Sequence, residues 1–101
     1  MKTTEELTSE GLRQQLNSKF LMRLTDAEPL ELELESVTDL PSAPGQEQFS
    51  VIFRAPHNAP QAQGVYHLEH AQFGAFSIFL VPVAHNQQGL QYEAFFNRIG
   101  L

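Results

Sequence analysis

Cysteine is absent from the 101 residues of this chain. That excludes a disulfide framework, a thiolate zinc site and a cysteine nucleophile, and it leaves the apolar core alone to stabilise the fold. Basic residues are scarce as well, six Lys and Arg against twelve Asp and Glu, for a formal net charge of −6. A surface of that sign repels phosphate backbones and anionic lipid, so neither nucleic acid nor a membrane surface is an expected partner. Long apolar runs are missing. The most apolar stretch, 75–84, is broken by Ser77 and Pro82 and is about half the length that spans a bilayer as a helix. The opening MKTTEELTSEG lacks the apolar segment of a signal peptide, which gives the cytoplasm as the expected site of synthesis and residence. Catalytic signatures are missing too: there is no G-x-S-x-G, no P-loop, no G-x-G-x-x-G and no H-E-x-x-H. No enzyme, metal or cofactor is expected on these grounds.

What is present is enough for one packed domain over residues 1–101. The chain is 42% hydrophobic and 18% charged, with eight Phe and two Tyr, which rules out a disordered tail. Charge is uneven. Residues 1–48 hold ten acids and four bases, a balance of −6, whereas residues 49–101 hold two of each and all four His. No segment repeats at a fixed period, so solenoids are excluded.

Thr8 and Ser9 are good helix caps, Glu10 suits the positive end, and Leu12, Leu16 and Phe20 recur every four residues. A short helix over 8–17 is expected, ended by Asn17 in the left-handed conformation. An antiparallel β-sheet then occupies 18–99. In its first strand Phe20, Met22 and Leu24 alternate with Leu21, Arg23 and Thr25. In the second, 30–37, Leu30, Leu32 and Leu34 alternate with Glu31, Glu33 and Glu35, a period of two that a helix would scatter. Four more strands are expected at 48–55, 64–70, 76–83 and 90–97, and their short Pro-, Gly- and Asn-bearing separators favour antiparallel neighbours. The fold expected is mainly β: a meander of about six strands, closed as a small barrel or left as a strongly curled sheet, with one short N-terminal helix.

The later strands are apolar on both faces. Phe76, Ile78 and Leu80 oppose Phe79, Val81 and Val83, and Phe95 opposes Tyr92, Ala94 and Phe96. Both faces then need cover. Either the helix and loops complete a second small core, or a protein partner or a second copy of the chain docks there. Under the second alternative the contact residues are Phe73, Phe76, Phe79 and Phe95, with the Glu31, Glu33 and Glu35 face as a second candidate for a basic partner. If the strands instead form a barrel with a small apolar ligand in its mouth, Tyr66, His67 and Tyr92 supply the polar handles.

The HLEH run at 67–70 suggests metal ligands, but His67 and His70 fall on opposite faces of a strand and cannot share an ion without a bulge. His57 and His85 sit in expected loops. Arg54, Glu69, Glu93 and Arg98 are the charged residues of the second half, and cross-strand ion pairs are their expected use.

The runs FSVIFRAP at 49–56, GVYHLEHAQFGAFSIFLVPVA at 64–84 and YEAFFNR at 92–98 resemble a family of small bacterial domains of unknown function. Its pattern joins F-S-L-x-F-x-G-P, Y-x-L-E-H, F-L-V-P-V and Y-x-A-x-F-N-R. Ala55 stands here where Gly is commoner, and Phe73 where Leu is commoner. The resemblance implies no catalytic residue or cofactor; it implies a setting near phage-tail-like assemblies, with a tail-fibre or collar-type protein as partner.

Overall fold

A computed structural model describes residues 7–99; residues 1–6 and 100–101 of the expected single domain lie outside that range. The chain forms one short helix, α1 (Ser9–Arg13), and six strands: β1 (Lys19–Arg23), β2 (Leu30–Asp39), β3 (Gln46–Ala55), β4 (Gly64–His70), β5 (Gly74–Asn86) and β6 (Gly89–Ile99). All neighbours are antiparallel, and the sheet closes on itself in the order β1-β2-β3-β6-β5-β4. The meander is therefore interrupted once. Strands β1–β3 and β4–β6 are two three-stranded meanders, sealed by the β3–β6 and β1–β4 ladders.

The helix is shorter than the 8–17 read from the sequence. Thr8 caps it, its hydroxyl accepting from the Gly11 N–H. After Arg13 the Gln15, Leu16 and Ser18 N–H groups bond to carbonyls three residues back, a tightening that ends at Asn17 with φ 68°. Leu16 is left 37% exposed. Phe20, counted in the same four-residue spacing, belongs to β1, and there it is buried.

Alternation decides the interior. Phe20 and Met22 of β1, Leu32 and Leu34 of β2, Phe49, Val51 and Phe53 of β3, Leu68 of β4, Phe76, Ile78 and Leu80 of β5, and Leu90, Tyr92, Ala94 and Phe96 of β6 are enclosed in one core. The ring's interior is filled by these side chains. A bulge between Leu34 and Ser36 resets β2, so that Val37 pairs with the buried Val51 and packs inward. A second bulge, between Pro82 and Ala84, lies where proline's missing N–H is tolerated.

The two ends of the ring are closed differently. Leu7 and Leu12 of the α1 region are buried at one end, beside Phe73 of the β4–β5 turn. At the other, residues 56–63 fold over the opening: Ala59 is buried, and the Tyr92 and Tyr66 hydroxyls donate to the carbonyls of Pro60 and Ala62. Burial pushes the Tyr92 phenol above its ordinary pKa, with Tyr66 adding to the effect.

Candidate functional site

Strand parity separates the aromatic residues singled out in the sequence into two groups. Phe76 is 1% exposed and touches the Phe20 ring edge-on, so it belongs to the core and is unavailable as a contact residue. Phe73 is half-buried against Phe20 and His70. Phe79 and Phe95 face outward, 50% and 59% exposed, and Val65, which pairs with Phe79 across β4–β5, is 64% exposed. The β5–β6 ladder reaches Val81 and Glu93; two residues further along each strand stand Phe79 and Phe95. Val83 adds a further exposed apolar side chain on β5. Towards β1 the outer surface dips into a shallow depression of about 390 Å³ whose lining includes Lys19, Leu21, Glu69, Ala71 and Ala75.

The acidic stripe on β2 is largely neutralised. Lys19 reaches Glu33 at 3.1 Å and Glu31 at 3.9 Å, and Arg54 reaches Glu35 at 3.2 Å. The Gln91 amide, with Arg54 behind it, holds the Glu35 carboxyl below its ordinary pKa despite partial desolvation. Charged residues of the second half follow the same logic: Glu69 takes two bonds from Arg23 of β1, and Arg98 reaches Glu47. The most exposed of these pairs, Lys19–Glu31 and Arg23–Glu69, contribute little stability.

The three handles proposed for a ligand do not converge. Tyr66 and Tyr92 point to the closed end of the ring, where the loop carbonyls occupy their hydroxyls, and Tyr92 is fully buried. His67, one residue on from Tyr66, lies outside and bonds Ser77 at 2.7 Å. The HLEH run is split by the same parity, His67 exposed and His70 buried. Among the described residues no three His, Asp or Glu side chains converge on a metal site, and no helix is long and apolar enough to cross a membrane.

One pairing missed from sequence has the look of a catalytic dyad: His70 Nε2 lies 2.9 Å from Ser18 Oγ. Its protons run the wrong way. The Gln72 and Phe73 N–H groups both aim at His70 Nδ1, so that atom carries the lone pair and Nε2 carries the hydrogen. Nε2 therefore donates to Ser18, whose hydroxyl donates to the Gln15 carbonyl at 2.6 Å. The imidazole holds no base on the serine side and ties β4 to the α1–β1 turn instead. Burial lowers its pKa from the ordinary 6.5. A folded value below the unfolded one means that the unfolded chain binds the extra proton first. The His70 contribution to stability is then complete above about pH 6.5 and is lost as pH falls from there through the lower folded value. Melting temperature should drop between about pH 7.5 and about pH 5.5, and in His70→Gln that drop should be smaller. An unchanged slope in the variant would remove His70 from the pH response.

Searches of curated proteins and of solved structures return no match to the chain. A family model does match, over residues 7–96, which take in α1 and nearly all of the strand ring: the chain belongs to the family described as a domain of unknown function, DUF6916.

Proposed function

We propose that this domain is a non-enzymatic protein-binding or assembly module that docks an apolar surface of a partner on the outside of β4–β6. The observation that carries the reading is the exposure of Val65, Phe79 and Phe95 on one side of a ring whose other aromatic side chains are enclosed or half-buried. A folded monomer gains nothing from such exposure, and contiguous apolar surface of this kind marks interaction sites. Charge distribution supports the same side. The net −6 resides in residues 1–48, which build α1, β1 and β2, while the strands from residue 49 onward balance to zero. β4–β6 themselves carry Glu69, Glu93 and Arg98, with Glu69 paired to Arg23, so a partner meets little surplus charge there, and the acidic side discourages acidic competitors. The resemblance in the strand motifs adds a setting for the partner, a tail-fibre or collar-type protein of a phage-tail-like assembly. The filled interior leaves nothing to favour a small-ligand reading.

The test separates binding from folding. Phe79→Asp and Phe95→Asp should each melt within about 4 °C of the native protein, as surface changes do. The same changes should weaken association with the partner that copurifies at native expression by about tenfold or more, the scale of an aromatic anchor. Retained association in the folded double variant would place the contact elsewhere.

A further inference from the structure

We propose that His57 and His85 form a two-histidine site for a divalent transition-metal ion, which clamps the 56–63 loop to the β5–β6 hairpin. His57 belongs to the segment linking β3 to β4; His85 stands near the end of β5. Both are exposed. Their facing nitrogens, His57 Nδ1 and His85 Nε2, are 3.2 Å apart. Metal–nitrogen bonds of about 2.0–2.1 Å separate two bound nitrogens by about 2.9 Å at a right angle and about 3.4 Å at the tetrahedral angle, so the observed separation lies within a metal's bite.

The outer partners are already in place. His57 Nε2 faces the Gln87 carbonyl at 3.0 Å, and a carbonyl only accepts, so Nε2 carries the hydrogen and Nδ1 presents its lone pair to His85. A ring N–H held by a backbone carbonyl is the arrangement that orients metal-bound imidazoles. Without metal, His85 Nε2–H donates to His57 Nδ1, and the Gln61 amide N–H, 3.3 Å away, donates to His85 Nδ1. Metal entry needs one internal exchange: the His85 proton moves from Nε2 to Nδ1, and the Gln61 amide turns so that its oxygen accepts it. No proton leaves the site. Both imidazoles then bind through lone pairs, and water fills the remaining positions. No carboxylate joins the pair among the described residues, and the chain has no thiolate. The donor set suits Cu²⁺, Ni²⁺ or Zn²⁺ and is wrong for Mg²⁺ or Ca²⁺.

The test is titration of untagged protein with NiCl₂ and ZnCl₂ by calorimetry, together with nitrogen-detected NMR of the imidazoles. Expected are one ion per chain, a raised melting temperature, and movement of the His85 proton from Nε2 to Nδ1. Losing even an outer partner of a metal-bound histidine costs about 10–100-fold in affinity, so His57→Gln and His85→Gln should each weaken binding by at least about tenfold. His67→Gln, which alters the other exposed histidine, should leave it unchanged. Absence of saturable binding, or binding that persists in both variants, would overturn the proposal. Either result would leave the docking face on β4–β6 untouched.

Discussion

Phe20→Ala should remove about 3–5 kcal/mol, a large share of the stability of a domain this size. The Phe20 ring is fully buried and sits at the meeting point of four others: Phe53 edge-on at 5.1 Å, Phe76 edge-on at 6.2 Å, Phe73 at 6.2 Å and the His70 imidazole at 4.2 Å between centroids. These neighbours come from β3, β4, β5 and the β4–β5 turn, so no single element can shift to refill the space. A large-to-small change of this kind costs about 3–5 kcal/mol through lost transfer energy and the cavity left behind. Small domains have only about 5–15 kcal/mol in total. The loss also loosens the packing of His70, whose bond to Ser18 ties β4 to the α1–β1 turn. Urea unfolding followed by circular dichroism measures the effect directly. A loss below about 1 kcal/mol would mean that the ring is not central to the core.

Gly89→Ala should be comparably damaging for a different reason. Gly89 opens β6 with φ +124°, and a Cβ built on it would lie 2.2 Å from the Ala55 carbonyl oxygen. The obstacle is backbone, and Ala55 is held in the β3–β6 ladder opposite Leu90. Relief requires either the hairpin or that ladder to move. Backbone strain adds to the clash, since φ values of this kind are nearly confined to glycine. A loss of about 3 kcal/mol or more is expected. Gly64→Ala is the matched control: nothing lies within 4 Å of its added Cβ and its backbone needs no special conformation. Its unfolding free energy should match the native protein's to within about 1 kcal/mol. Equal effects at the two positions would contradict the assignment of the Gly89 cost to the Ala55 carbonyl.

Local order was legible where it is written locally. The Leu–Glu alternation of β2, the opposition of Phe95 to Tyr92, Ala94 and Phe96, and the left-handed Asn17 are all visible in the sequence, because each depends on residues within a few positions of one another. Ring order was not. The β3–β6 and β1–β4 ladders join residues about 45 positions apart, and period-two patterning marks a strand without naming its neighbour. The spacing of Leu12 and Leu16 predicts a helix longer than the one formed, because the need to turn into β1 at Lys19 ends it a turn earlier. Phe76 and Phe79 are three positions apart and face opposite ways, so the two cannot share the contact surface expected of both. Parity sets Phe79 and Phe95 apart from Phe76 and Phe96 without saying which face is outward, because both faces are apolar. The Ser18–His70 and His57–His85 pairings are not legible in the sequence, since both depend on which loops the closed sheet brings together.

We propose that the interior of this ring is structural and that its outer β4–β6 face acts on another molecule. The decisive measurement is chemical-shift mapping of labelled protein titrated with its copurifying partner. The expected result is a continuous set of perturbed amides and methyls at Val65, Phe79, Val81 and Phe95, with the core methyls of Leu32, Leu34 and Val51 unmoved. Perturbations gathered instead on α1 and the Glu31–Glu33 side, or spread through the interior, would contradict it.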